Sequence, residues 1–76
     1  MSSEEYKIIT IDDEKVTVWM TVKGDGVPMK LLEYFEKTTK PESFMVMRVK
    51  DGKALPLLLL LEQARKRGAN ENTLIN

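Results

Sequence analysis

The residues of this chain whose types suit chemistry are mainly carboxylates, and three of them stand together at Asp12, Asp13 and Glu14. Carboxylate oxygens are the ligands that Mg²⁺ and Ca²⁺ prefer, but a metal site needs oxygens that converge from several parts of a chain. Consecutive side chains in a tight turn point in different directions. We therefore interpret this triplet as a solvated turn, and we predict neither a metal site nor a cofactor.

The chain contains no histidine and no cysteine. It therefore lacks the most frequent general base and the commonest metal ligand, and it can form neither a thiol nucleophile nor a thiolate metal site. The segment from Gly24 to Pro28 precedes a predicted helix, where backbone N–H groups can bind phosphate. This segment lacks the lysine followed by serine or threonine that completes a P-loop. We predict that the protein is not an enzyme.

Basic residues concentrate in the second half of the chain, where their side chains could contact the phosphates of a nucleic acid. Residues 1–26 hold six acids and three bases, a net charge of −3, whereas residues 27–76 hold six acids and nine bases, a net charge of +3. No established nucleic-acid-binding motif accompanies these bases. Nucleic-acid binding is therefore the alternative function and not the favoured one. Its candidate contacts are Arg48, Lys50, Lys53, Arg65, Lys66 and Arg67.

The elements that must position these residues begin with a predicted β-hairpin. Tyr6–Ile11 is rich in β-forming residues, and Lys15–Val22 alternates between two faces, as a half-buried strand does. The alternation assigns one face of the second strand to Val16, Val18, Met20 and Val22. It assigns Trp19 to the opposite face.

A helix and a further strand follow the hairpin. Pro28 suits the first turn of an amphipathic helix that extends to about Thr39, and Pro41 ends it. Ser43–Lys50 then reads as a third strand. Its alternation places Phe44 and Val46 on one face and Met45, Met47 and Val49 on the other.

A second hairpin and a second helix complete the pattern. Asp51 followed by Gly52 is typical of a two-residue type I′ turn, and Lys53–Leu55 reads as a short strand that pairs back. Pro56 begins a leucine-rich helix that extends to about Arg67. Three basic residues near Arg67 are typical of a last helical turn, because the negative end of the helix dipole attracts cations.

The order β-β-α-β-(β)-α predicts a small single domain of the α+β class over residues 1–76, with a mainly antiparallel sheet of three to four strands and two helices. Residues 1–5 and 69–76 are predicted to be flexible termini. The order of hairpin, helix and strand over residues 6–50 resembles the β-grasp arrangement of ubiquitin-like proteins. The chain departs from that arrangement afterwards, and it lacks the terminal di-glycine that a conjugation role would require.

The leucine run Leu57–Leu61 is unusual because successive helical side chains lie about 100° apart, so five leucines surround the helix. A helix that is apolar all round must be covered on all sides. Both faces of the predicted sheet are also partly apolar. Either the leucine helix covers the second face, or both helices share one face and a partner covers the other.

These patterns favour a small non-enzymatic protein-binding module, such as an inhibitor, adaptor or regulatory subunit, that forms a homodimer through its leucine helix and apolar sheet face. The predicted interface residues are Trp19, Met45, Met47, Leu58, Leu59 and Leu60. Trp19 is also compatible with a place in the core. The polar N-terminus lacks the features of a signal peptide, and the leucine run is shorter than the roughly 20 apolar residues of a membrane span. We therefore expect a cytoplasmic protein without membrane contact.

Overall fold

The computed structural model describes residues 4–68 and the short strand at 72–73. Its elements, in chain order, are β1 (Glu4–Asp12), β2 (Lys15–Gly24), β3 (Val27–Pro28), α1 (Met29–Glu36), a 3₁₀ turn (Pro41–Ser43), β4 (Phe44–Arg48), β5 (Ala54–Pro56), α2 (Leu57–Arg67) and β6 (Asn72–Thr73). The predicted α+β class and the order of elements are confirmed.

The main sheet has four strands in the order β2-β1-β4-β5, and every neighbouring pair is antiparallel. A separate two-stranded pair joins β3 to β6. Strand β4 therefore lies directly beside β1, although α1 separates the two in the sequence. The similarity to the β-grasp arrangement is confined to the order of the first elements, since the chain then continues through β5 into α2.

The first hairpin closes through a two-residue turn, as its acidic sequence predicts. Asp12 pairs with Lys15, and the two residues between them, Asp13 and Glu14, have φ values of 49° and 66°. Positive φ at both central residues is the signature of a type I′ turn, whose twist matches that of the flanking strands.

The second hairpin differs from its prediction as a two-residue type I′ turn. The N–H of Arg48 donates to the carbonyl of Lys53, so four residues lie in the loop, and only Gly52 among them has a positive φ, of 72°. The carboxylate of Asp51 accounts for the longer loop. It accepts hydrogen bonds from the guanidinium of Arg48 and from the backbone N–H of Lys53.

A bulge in the first hairpin changes which face its residues occupy. Ile8 pairs with Met20, but Ile9 pairs with Val18, so Trp19 is an extra residue on β2. An extra residue reverses the alternation beyond it. Hence the predicted common face of four β2 residues is wrong, because the bulge divides it. Met20 and Val22 pack against the core, whereas Val16 and Val18 lie on the opposite face.

Both helices begin after a proline, and only α1 is shorter than its predicted length. Helix α1 ends at Glu36 and not near Thr39, and the hydroxyl of Thr38 donates to the carbonyl of Phe35 beyond the last turn. Helix α2 ends at Arg67, as predicted, and Gly68 follows it with a φ of 73°, the left-handed conformation that glycine adopts without strain.

The helices share one face of the sheet. The core between the sheet and the helices contains residues of β1, β3 and β4 and of both helices: Tyr6, Ile8, Val27, Leu32, Phe35, Phe44, Val46, Leu57, Leu60 and Leu61. The molecule measures 34 × 28 × 17 Å. A smallest dimension of 17 Å accommodates one sheet and one layer of helices, because packed layers lie about 10 Å apart. Of the two arrangements open from the sequence, this is the one in which both helices cover the same face.

The chain ends differ in part from the expected flexible termini. Glu4 and Glu5 belong to β1, where they pair with Gly24 and Lys23 of β2. Near the C-terminus, the structure describes β6, which pairs with β3. Residues 1–3, 69–71 and 74–76 lie outside the described residues, so the prediction for them stays a prediction.

Candidate functional site

One face of the sheet carries no helix among the described residues, and we call it the open face. The strand register places the residues of this face side by side. Ile9 of β1 lies between Val18 of β2 and Met45 of β4, and Ile11 of β1 lies beside Val16 of β2. Its apolar members are Ile9, Ile11, Val16, Val18, Met45 and Met47. None of these side chains belongs to the core cluster under the helices.

The open face is apolar and largely accessible to solvent. The exposed fractions of Ile11, Val16 and Val18 lie between 47% and 56%. Ile9 is only 4% exposed, because neighbours on three strands surround it in the middle of the face. Scattered exposed apolar residues are normal on proteins, but a contiguous apolar patch marks an interaction surface. The open face is therefore the strongest candidate site.

Sequence reasoning identified two members of the open face, Met45 and Met47, and missed the others. Both methionines are half-buried on β4. Val16 and Val18 were assigned to a face that Met20 and Val22 shared, and the bulge separates these pairs. One signal could have found the missing residues. Both strands of the hairpin contain β-forming residues at successive positions, so some apolar residues must lie on each face of the sheet in any register.

Trp19 lies on the helix side of the sheet and not on the open face. Its indole Nε1 donates to the hydroxyl of Thr10 at 2.8 Å, and its ring meets the ring of Phe44 edge to face at 5.7 Å between centroids. The ring is nevertheless 57% exposed. Trp19 thus borders the core and remains accessible, and its role as an interface residue stays a prediction.

A groove of about 600 Å³ opens beside Trp19, between the end of β1 and the end of α1. Phe35 and Phe44 pack against each other in it at 4.9 Å, and Tyr34 contacts Phe35 edge to face at 5.3 Å. The polar groups of the groove include Lys40 and Asp12. With one charge of each sign and wide access to solvent, the groove favours no particular class of ligand.

The leucine helix is covered mainly by its own chain. Leu57, Leu60 and Leu61 have no exposed surface, and Ala64 continues the same stripe one turn later. Leu58 is partly buried against the core, and Leu59 is 40% exposed. A partner that covers the remaining sides of this helix stays a prediction, for which Leu58 and Leu59 retain accessible surface. Leu60 is inaccessible in the folded chain, and Leu59 is the leucine that the sheet does not reach.

Three of the six candidate nucleic-acid contacts form ion pairs with carboxylates. Arg48 pairs with Asp51 at 2.6 Å. Arg65 binds both carboxylate oxygens of Glu36, at 2.9 and 3.1 Å, and lies 3.7 Å from Glu33. A further pair joins Lys66 to Glu62 at 3.4 Å. Lys50, Lys53 and Arg67 are exposed. Neutralised arginines contribute little to phosphate attraction, so these pairs weigh against a nucleic-acid site.

Among the described residues, three acidic groups have pKa values that the fold shifts, and each shift has a structural explanation. Burial raises the pKa of Tyr6 to about 12, and its hydrogen bond to Glu4 adds to the shift. The Arg48 guanidinium lowers the pKa of Asp51 to about 2. The hydrogen bonds from Arg65 likewise lower the pKa of Glu36. Ion pairs and burial account for all three shifts, and none of these groups lies on the open face.

The described residues gather no group of three acidic side chains that could hold a metal ion. Within residues 4–68 and 72–73, no helix is long and apolar enough to cross a membrane. Comparison of the chain with models of protein families, with curated proteins and with solved structures finds no match. Function is therefore inferred from the geometry of the chain itself.

Proposed function

We propose that this chain is a small non-enzymatic protein-binding module that forms a symmetric homodimer by packing its open face against the open face of a second copy. The observation that carries the proposal is the position of both helices on one side of the sheet, which leaves the other apolar side uncovered. Two sheets that pack face to face lie about 10 Å apart and bury the side chains between them.

The chemistry of the open face supports a copy of itself as the occupant. Its six apolar members carry no charge, but Lys7 lies on the same face between Thr21 and Met47, so a two-fold arrangement must keep the two Lys7 side chains apart. A symmetric interface requires a self-complementary patch, and a mainly apolar sheet face can meet that requirement. Ile9 and its neighbours would form the buried centre.

The size of the open face predicts the strength of the dimer. The four strands contain 9, 10, 5 and 3 residues. At about 3.4 Å per residue and about 4.8 Å between strands, the face covers roughly 450 Å² in each copy. Two copies would bury about 900 Å² of flat area, near the lower limit for specific interfaces. We therefore expect a weak dimer, with a dissociation constant in the micromolar range.

Sedimentation velocity over roughly 5 to 500 μM tests this dimer, since a monomer has a mass of 8.7 kDa. Ile11→Lys places a charge on the open face from the central strand β1 and should raise the dissociation constant at least tenfold. Leu59→Lys is the matched control, because Leu59 is a similarly exposed apolar residue on the helix side. Circular dichroism establishes that both variants fold. A wild-type chain that stays monomeric over the whole range, or equal dimerisation of the two variants, would contradict the proposal.

A further inference from the structure

The two edges of the main sheet differ in how well they are protected. Strand β5 forms one edge, contains three residues, ends at Pro56 and continues directly into α2. Strand β2 forms the other edge and contains ten residues, and no strand of the described residues lies beyond it. Strands β1 and β4 are both interior strands.

The register shows which backbone groups of β2 face outward. The carbonyl of Glu5 accepts the N–H of Val49, so the odd-numbered residues of β1 direct their backbone groups to β4. The even-numbered residues then direct theirs to β2, because hydrogen-bonded positions alternate along an antiparallel pair. The β2 partners of the odd-numbered residues therefore present their N–H and C=O groups at the edge. These partners are Val16, Val18, Thr21 and Lys23.

The sequence of β2 leaves this edge open to pairing. Residues 16–22 contain no charge and no proline, and all but Met20 are β-branched or aromatic. Proteins usually block an exposed edge with charges, prolines or very short strands. Here the lysines stand only at the two ends, at Lys15 and Lys23, and the bulge at Trp19 is the one protective device within the strand.

Both ends of the edge are acidic. The turn end carries three exposed acids, Asp12, Asp13 and Glu14, against one lysine. The opposite end also carries three acids, Glu4, Glu5 and Asp25, against one lysine. A second copy paired antiparallel along β2 would bring each acidic end beside the other acidic end. Charge therefore disfavours a second copy here and favours a partner with basic ends.

We propose that the outer edge of β2 binds an extended segment of a partner protein as a fifth strand, and that this segment has about five to seven β-forming residues between basic residues. Main-chain hydrogen bonds to the outward groups of β2 supply the affinity, and the acidic ends select the flanking charges. This inference rests on the proposed protein-binding role, but it requires neither the open face nor the dimer.

Three synthetic peptides test the edge. The first has the sequence KKVTVTVKK, the second replaces every lysine with glutamate, and the third is the lysine peptide with N-methyl groups at alternate residues of its centre. Fluorescence of Trp19, which lies on β2, reports binding, because the peptides contain no tryptophan. The lysine peptide should bind, and its affinity should fall as salt is raised from 50 to 200 mM. The other two should bind at least tenfold more weakly.

A variant of the protein adds a second test. Thr21→Pro removes an N–H that faces outward and leaves the β1 ladder intact, so it should weaken binding of the lysine peptide at least tenfold, whereas Thr21→Val should not. If Thr21→Pro does not fold, the N-methylated peptide tests the same hydrogen bonds from the other side. Equal binding of the lysine and glutamate peptides, equal binding of the N-methylated peptide, or no binding of the lysine peptide at 1 mM would overturn the proposal.

Failure of this proposal and failure of the dimer are distinguishable. The titrations use about 1 μM protein, which is below the expected dissociation constant of the dimer. Sedimentation without peptide reports the dimer alone. A dimer that survives Ile11→Lys but is lost in Thr21→Pro would show that a second copy occupies the edge of β2. This result would overturn the proposal that a segment with basic ends binds there.

Discussion

The indole Nε1 of Trp19 donates a hydrogen bond to the hydroxyl of Thr10 at 2.8 Å, across a bulge that makes Trp19 an extra residue in its strand. The bond holds the ring on the helix side of the sheet, where it meets Phe44 edge to face. The same bulge moves Val16 and Val18 to the open face. One inserted residue therefore divides the exposed apolar residues of this hairpin between two surfaces.

Loss of the Thr10 hydroxyl should destabilise the protein modestly. We expect Thr10→Val to lower the free energy of unfolding by about 0.5–1 kcal/mol, because the indole is half exposed and its N–H can bind water instead. Thr17→Val is the matched control, since Thr17 pairs with Thr10 and is exposed. Urea denaturation measures both variants. Equal stabilities of the two would contradict a contribution from the indole hydrogen bond.

Two neighbouring leucines should differ widely in their contribution to stability. Leu60→Ala should lower the free energy of unfolding by about 2–5 kcal/mol, because it leaves a cavity in the core. Leu59→Ala should change it by no more than about 0.5 kcal/mol, because Leu59 is exposed on the helix. Thermal and urea denaturation measure the difference. Similar effects at the two positions would contradict the orientation of α2.

The Arg48–Asp51 pair should stabilise the protein at neutral pH and lose its effect in acid. The folded-state pKa of Asp51 is lowered from 3.8 to about 2, so the contribution is complete above pH 4 and disappears as the pH falls towards 2. A double-mutant cycle with Arg48→Gln and Asp51→Asn measures the coupling between the two side chains. We expect a favourable coupling at pH 6 that becomes markedly smaller at pH 2.5. A coupling that does not change with pH would refute this assignment.

The buried phenol of Tyr6 should make the fold sensitive to alkali. Its folded-state pKa is raised from 10.0 to about 12, so its contribution is complete below pH 10 and is lost as the pH rises towards 12. Tyr6→Phe cannot ionise and isolates this effect from the titration of lysines. We expect the stability of the wild type, relative to Tyr6→Phe, to fall between pH 9 and pH 11.5. Urea denaturation at pH 9 and pH 11.5 measures the free energy of unfolding of both proteins. An equal loss of stability in the wild type and in Tyr6→Phe would count against the proposed burial of the phenol.

Local signals in the sequence predicted most of the elements of the fold. The proline before each helix, the glycine after α2 and the alternation along the strands act over a few residues, so they can be read without tertiary context. The prediction for Asp51 and Gly52 was wrong because the Asp51 carboxylate binds two groups that lie outside the turn itself. The site was only partly predictable, since Met45 and Met47 alternate regularly on β4 but Val16 and Val18 lie beyond a bulge.

The sequence by itself determined that this chain forms an α+β domain, that it has no histidine or cysteine for chemistry, and that both faces of its sheet are partly apolar. These properties depend on composition and on short-range periodicity. Only the tertiary structure decided which surface stays uncovered. Five leucines surround α2, yet the sheet buries Leu57, Leu60 and Leu61 and leaves only Leu59 largely exposed. The uncovered surface is the sheet, because both helices pack against the same face, and no local pattern specifies that choice.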